Sequence, residues 1–275
     1  SKLFKKPNIE AFFFNNSLLI SIHGYKNKFD PGFILFKNFI NKDQVALFLS
    51  EAQRVESELI ASGTTVINGT PLKYGLDDDG NKMIQRMCFL SQFSPVLQSF
   101  FDDNRLKALL PLLNPYQGRV GLNEKDGLVM NHYVRTKHSK FSQMGWHTDS
   151  PRDLFLGQKI MPMLNVGIHL DDCPYENGGL RVLPGTHKQS MFKLLFGKKY
   201  FVDNRPDEKE VGFDIEAGDL GVHDGRLWHR VQQSPNYGDA SRRRVMYVPF
   251  ITGAIKVKNE KTKMPFYHKF MNKVQ

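Results

Sequence analysis

At 275 residues, 40% of them hydrophobic and 24% charged, the chain has the composition of a folded globular protein and enough length for one large core. Cys88 and Cys173 are its only cysteines, too few and too far apart for a disulfide framework or a zinc site, so a reducing, cytoplasmic setting is expected. The net charge of +10 does not point to nucleic acid. Lys and Arg are scattered, densest near Lys2, Lys5 and Lys6 and again over 256–273, and no helix-turn-helix, RRM or zinc-finger pattern accompanies them.

No apolar run approaches the ~20 residues that cross a bilayer, and the first residues lack the pattern of a signal peptide, so no membrane partner is expected. Residues 1–31 hold two aromatic or apolar pieces, 12–14 and 17–22, separated by Asn15-Asn16, which read as short strands with a turn. A strand follows over 32–40. Asn41 then stands as a helix cap with Gln44 in capping-box position, and Val45, Leu47, Phe48, Ala52, Val55 and Leu59 carry helical spacing to about Ala61, where Gly63 ends it. A second helical region spans 94–113, interrupted near Asp102. The acidic stretch 76–81 lacks the spacing and closing Glu of a calcium loop and reads as a solvated turn.

From Gly127 onward strand-length pieces succeed one another: 128–135, 143–149, 162–170, 179–183, 213–215, 220–223, 227–231 and 244–250. Gly, Pro, Asn and Asp clusters punctuate them. Many short strands with turn signals predict a mainly β protein with flanking helices and a closed or sandwiched core such as a jelly roll. The chain reads as one domain: an N-terminal extension over 1–126 whose helices pack on the core, a catalytic core over 127–252, and a tail over 253–275.

Within that core, His147 and Asp149 lie two apart on one predicted strand, so both project from the same face, roughly 6–7 Å apart. An imidazole nitrogen and a carboxylate oxygen on one face could supply two ligands of a facial metal site. Later histidines, among them His169, His187, His223 and His229, could supply a third, and spacing alone leaves His223 and His229 equal.

The run Asn177-Gly178-Gly179-Leu180-Arg181-Val182-Leu183-Pro184-Gly185-Thr186-His187, with H-x-D before it and Gly218-Asp219-Leu220 leading to His229 after it, resembles the phytanoyl-CoA dioxygenase-like family of Fe(II)/2-oxoglutarate oxygenases. The resemblance covers about residues 32–252 and implies a double-stranded β-helix, or cupin-like jelly roll. It further implies Fe(II) held by His147, Asp149 and His229, with 2-oxoglutarate as co-substrate and O2 as oxidant. The family's 2-oxoglutarate-binding arginine falls within Arg242-Arg243-Arg244. Register against the following strand favours Arg243, with Arg244 next, and a guanidinium fork suits a distal carboxylate. Asn165, Asn131 and Arg135 stand at positions similar to the family's other co-substrate contacts.

Two departures bear on the pocket: Val231 replaces the small hydroxyl residue frequent two positions after the third ligand, and Gly167 replaces an aromatic. Arg152, in the loop after Asp149, is a candidate for the substrate rim, as is the space left by Gly167. His187 with its Pro-Gly-Thr turn reads as structural, and Trp146 and Trp228 as packing beside the ligands.

The resemblance implies hydroxylation of a small-molecule substrate, with desaturation or cyclisation in natural-product biosynthesis as the variant outcome. Halogenases of related type lack the ligating carboxylate, and Asp149 is present. A non-catalytic jelly-roll binding protein is the rival from another class. Basic residues in segments near the site, Arg119, Arg135, Lys137, Lys140, Arg152 and Arg226, favour an acidic or zwitterionic molecule.

Overall fold

The computed structural model describes residues 29–138, 143–155, 157 and 159–265. The two short strands expected before residue 23 lie outside them. Asn41 caps the first helix, α1 (Lys42–Ala61), through a complete capping box with Gln44. The buried face of α1 is formed by Val45, Phe48, Ala52, Val55 and Leu59, the 3.6-residue stripe expected from the sequence, except that Leu47 lies off that face and is exposed. The second helical region breaks into short pieces, α2 (Pro95–Ser99) and α3 (Asn104–Lys107), separated and followed by 3₁₀ turns.

Two antiparallel sheets form the core. The larger runs in the order β1 (Phe33–Phe36), β12 (Leu220–Asp224), β9 (Met163–His169), β14 (Arg243–Ile251), β7 (Val129–Tyr133), β5 (Lys82–Met87) and β4 (Lys73–Leu76), with β6 (Arg119–Val120) also on β14. The smaller runs β11 (Val211–Gly212), β10 (Gly179–Val182), β13 (His229–Gln232) and β8 (Met144–His147). A separate pair joins β2 (Val66–Ile67) to β3 (Thr70–Pro71). Short helices α4 (Arg152–Phe155) and α5 (Met191–Phe196) sit in the connections of the smaller sheet. This is the jelly roll expected from the punctuated strand pattern.

The N-terminal part does more than cover the core. It supplies β1, β4 and β5 to the larger sheet, because β1 pairs with β12 and β5 with β7. The β4–β5 hairpin escaped notice because its turn, residues 77–81, carries the acidic stretch that read as an isolated loop. Asp77 organises that turn by accepting from the backbone of Asp79 and Asn81. The piece expected at 213–215 forms its strand slightly earlier, at β11, and Ile215 bridges Cys173.

Asp219, in the Gly218-Asp219-Leu220 motif, ties β1 to β12. It is wholly buried and accepts from the backbone N–H of Asn38 at 2.9 Å and of Glu216 at 2.8 Å, and from Lys37 Nζ at 2.5 Å. Behind the larger sheet, α1 packs with α2 over a cluster containing Phe48, Val55, Leu97, Ile84, Val166 and Val248.

His169 on β9 is buried, and burial pushes its imidazole down to about 4, with the charges of His223 and Lys37 adding to the effect. The unfolded chain binds this proton near pH 6.5 and the folded chain does not, so this contribution to stability is complete above pH 6.5 and is lost as pH falls toward 4. Denaturant titrations between these limits should show a slope of about 1.4 kcal/mol per pH unit from this group. His169→Gln should flatten it; an unchanged slope would mean that His169 does not titrate this way.

Candidate metal centre

Two of the three ligand candidates are brought together by strand pairing. β13 runs antiparallel to β8 with His229 directly opposite His147, and their rings lie 4.1 Å apart between centroids. Such cross-strand neighbours on one face are the closest approach a sheet offers to residues distant in sequence. Asp149 is placed differently from the expectation. β8 ends at His147, and Asp149 sits in the bend that follows, so strand alternation does not align the pair. The bend is held against the β12–β13 turn, where the Asp149 and Ser150 N–H groups both donate to Gly225 O, at 2.8 and 3.1 Å. The carboxylate still reaches the histidines: Oδ2 lies 3.6 Å from His229 Nε2.

Among the described residues, the group able to hold a metal ion is His147, Asp149 and His229, with candidate ligand atoms all within 4.8 Å of one another. Hydrogen bonding orients both imidazoles for this task. His147 Nδ1 is 2.8 Å from Gly145 O, and His229 Nδ1 is 2.9 Å from Leu227 O. A carbonyl only accepts, so each Nδ1 carries the proton and each Nε2 presents a bare lone pair toward Asp149. Burial pushes both imidazoles below their ordinary values, so they stay neutral. Burial alone would raise the Asp149 carboxyl; a proton taken up by any neighbouring imidazole, His229 first, lowers it below the usual carboxylate range, and with the His147 and His229 rings neutral the Asn165 amide is the donor that supports its charge. Two neutral nitrogen ligands and one carboxylate on one side of an ion is the donor set of a non-haem iron centre with open positions.

Further residues brace this triad. Asn165 on β9 donates its amide to Asp149 Oδ2 and also lines the cavity in front of it. His223, cross-strand from Asn165, puts Nε2 at 3.6 Å from the same oxygen. It therefore touches the carboxylate without joining the ligand set. Sequence reasoning missed two contacts from the segment after α5. The Phe201 ring stacks on His147 at 4.9 Å, and the Tyr200 hydroxyl is 2.8 Å from Thr148 Oγ1, between the two ligands. No local pattern marks either residue. Trp146 and Trp228 do pack with Leu183 beside the ligands.

The cavity in front of the triad has a volume of about 150 Å3 and draws its lining from both sheets. Asn131, Tyr133, Asn165, His223 and Tyr247 from the larger sheet face Met144, Leu180 and Val231 from the smaller. Asn131 Nδ2 is 3.3 Å from the Tyr133 hydroxyl, while its buried Oδ1 has no hydrogen-bond partner. Arg243 lies on the same face of β14 as Val245 and Tyr247. It is buried, with Nη1 donating to Gln232 O at 2.8 Å and Asn177 O at 3.1 Å and its guanidinium 5.8 Å from the Tyr133 ring.

Gly178, at φ +86°, makes room for it, since a Cβ there would meet Arg243 Nη1 at 2.7 Å and Gln232 O at 2.6 Å. Arg244 faces away and is gripped by Asp171 through two bonds of 2.8 and 2.6 Å. The alternation of the strand therefore separates the two arginines.

The remaining expectations are redistributed. Arg135 is not in the cavity lining: its guanidinium bonds Ser234 O and Pro235 O and stacks on Tyr237 at 4.1 Å. Its strand stops at Tyr133 rather than running to residue 135, so the alternation that puts Asn131 and Tyr133 on one face ends before Arg135. The room at Gly167 is filled by Tyr247, whose ring carbon would lie 2.7 Å from any Cβ there. Arg152 begins α4, and its side chain lies outside the described atoms. Arg119 and Arg226 are paired with Glu124 and Asp224. Among the described residues the cations that line the cavity are Arg86 and Lys125; Arg243, behind Tyr133, is not part of that lining.

With the fold and the triad established, the class is that of a two-histidine, one-carboxylate enzyme on a jelly roll. The pattern of the family described as phytanoyl-CoA dioxygenase (PhyH) matches residues 30–244, and the chain belongs to that family. Its members are non-haem oxygenases that use iron and 2-oxoglutarate with O2. No curated protein matches the sequence. Among solved structures, the fold is similar to AviO1 from Streptomyces viridochromogenes Tue57, with a TM-score of 0.60 at 16% identity, over 87% of this chain and 99% of that one. It is also similar to the non-haem alpha-ketoglutarate-dependent epimerase SnoN from nogalamycin biosynthesis, with a TM-score of 0.61 at 16% identity over 86% and 85%. EvdO2 from Micromonospora carbonacea var. aurantiaca, solved with 2-oxoglutarate, gives a TM-score of 0.60 at 16% identity over 89% and 96%. Among the described residues no helix is long and apolar enough to cross a membrane.

The Asn165 contact has a measurable consequence. Asn165→Ala leaves the Asp149 carboxylate without its amide donor and should weaken Co(II) or Fe(II) binding about tenfold or more. Metal titration followed by absorption would check this, and an unchanged affinity would remove Asn165 from the support of the site.

Proposed function

We propose that the chain couples the conversion of 2-oxoglutarate to succinate and CO2 with oxidation, most simply hydroxylation, of an unactivated C–H bond in a small anionic or zwitterionic metabolite. The observation that carries this reading is the triad itself, in which neutral Nε2 lone pairs of His147 and His229 converge with the Asp149 carboxylate. Iron held there with 2-oxoglutarate and O2 supplies the oxidising power; the protein supplies binding, orientation and exclusion of water.

His147, Asp149 and His229 hold the metal. Asp149 distinguishes this site from one in which a small residue leaves a ligand position for halide. Arg243 takes the distal carboxylate of 2-oxoglutarate. Its support is its burial, its face on β14 and its place beside Tyr133. A carboxylate brought to it replaces lost hydration with charge-assisted bonds. Asn131 contributes a hydrogen bond from the neighbouring strand. With its amide turned over, Oδ1 would accept from the Tyr133 hydroxyl and Nδ2 would face the cavity as a donor. Val231, packed with Tyr133 and Met144, adds only apolar contact where a hydroxyl is frequent, so Arg243 and Asn131 carry more of the polar recognition.

Epimerisation or ring closure is the second reading. Structures of similar fold include SnoN and the non-haem alpha-ketoglutarate-dependent carbocyclase SnoK. Both outcomes begin with removal of a substrate hydrogen and diverge afterwards, so mass analysis separates them: hydroxylation adds one oxygen to the product.

Three variants test the assignment. Asp149→Ala should abolish succinate formation from 2-oxoglutarate with iron, while retained turnover would show that the triad is misassigned. Arg243→Gln should raise the KM for 2-oxoglutarate about a hundredfold, the loss expected for one partner of a buried charge pair. Arg244→Gln, which disturbs only the Asp171 pair, should leave that KM near the wild-type value.

A further inference from the structure

The cavity has a charged end that the metal and the co-substrate do not account for. Arg86 on β5 is the cross-strand neighbour of Asn131 and lines the cavity with Lys125 and Asp126. Its side chain is 24% exposed. Among the described residues its one hydrogen-bond partner is Asp126, reached through Nη2 at 2.7 Å. The guanidinium keeps the donors of Nε and Nη1 for another group. Asp126 in turn is fixed, accepting from Lys258 Nζ at 2.8 Å and from Thr70 Oγ1 at 3.1 Å. Arg86 is thus a cation held in one orientation at a cavity wall that also includes Val129, Met163 and Pro249.

We propose that Arg86 is a recognition site for an anionic group, a carboxylate or a phosphate, carried by the molecule that is oxidised. This inference rests on the oxygenase reading above and deepens it by naming the substrate class and the residue that selects it. Position separates Arg86 from Arg243. The two flank β7 from opposite sides, Arg243 paired with Tyr133 from β14 and Arg86 paired with Asn131 from β5. A single small dicarboxylate held by Arg243 and the metal leaves Arg86 for a second ligand.

The surroundings favour an anion. Lys73 is the cross-strand neighbour of Arg86 on β4, and burial followed by the Arg86 charge pushes its amine down to about 8. Lys125 is buried and paired with Asp153 at the same end of the cavity. Among the described residues Lys73, Arg86, Lys125 and Lys258 gather there around Asp126 and Asp153. A planar fork with an apolar wall on one side binds carboxylate or phosphate through parallel bonds, and partial desolvation strengthens the pair.

The test uses the full chain loaded with Mn(II), which occupies the site without turnover. Isothermal titration with 2-oxoglutarate comes first, followed by acetate or inorganic phosphate titrated into the loaded protein. Wild type should bind at least one of the two anions saturably, and the arm that binds tells carboxylate from phosphate. Arg86→Gln should weaken that binding about tenfold or more while 2-oxoglutarate affinity stays within about twofold. Arg86→Lys, a cation without the fork, should fall between. Melting temperatures of both variants identify any loss through misfolding, and Arg86→Lys retains the partner of Asp126 if Arg86→Gln does not fold.

Absence of saturable binding by either anion to the loaded wild type would overturn the proposal. So would equal binding by a folded Arg86→Gln, or an equal loss of 2-oxoglutarate affinity in that variant, which would place Arg86 in the co-substrate site. Failure of wild type to bind 2-oxoglutarate at all would instead overturn the oxygenase reading, and this inference with it.

Discussion

The site depends on a carboxylate kept charged where burial opposes charge. Asp149 lies beside three imidazoles, His147, His229 and His223, and an amide from Asn165. Taking a carboxylate out of water costs several kcal/mol unless partners replace the lost hydration. Each of those partners comes from a different strand or bend. β8, β9, β12, β13 and the turn at Gly225 must all be in place before Asp149 has its surroundings. The jelly roll is what makes this possible, because its two sheets present inward faces to one another across a narrow gap.

The same logic separates neighbours that look alike in the sequence. Arg243 and Arg244 are adjacent basic residues, yet strand alternation sends one to Gln232 O and Asn177 O near the Tyr133 ring and the other to Asp171 on the opposite face. His223 and His229 were indistinguishable by spacing. Pairing of β13 with β8 sets His229 opposite His147, while β12 pairs with β9 and sets His223 opposite Asn165. One histidine becomes a ligand candidate and the other a contact of the ligand carboxylate. The Asn-Gly-Gly turn fits the same scheme, since the backbone at Gly178 and Gly179 leaves no space for a Cβ beside Arg243 and Cys173.

Polar groups from outside the expected catalytic core complete the cavity. Arg86 comes from a hairpin in the N-terminal half, and Lys125 from the loop before β7. Tyr200 and Phe201 arrive from the connection between β10 and β11 to contact Thr148 and His147. A chain whose N-terminal strands join the main sheet builds its pocket from residues more than a hundred positions apart.

What the sequence determined by itself is the part governed by local chemistry and short-range period. The capping box and apolar stripe define α1, the Gly- and Pro-punctuated pieces define the strands, and the ordered motifs from H-x-D to the arginine run define the family. The tertiary structure alone decided that Asp149 reaches the histidines from a bend rather than along a strand. It decided that Asn165 donates to the Asp149 carboxylate, that Arg135 turns to Tyr237, and that Tyr247 fills the space at Gly167. It also decided that Arg86 and Lys125 are the cations of the cavity. The physical reason is that periodicity specifies which face of an element a residue occupies, whereas cross-strand register and sheet closure specify what that face meets.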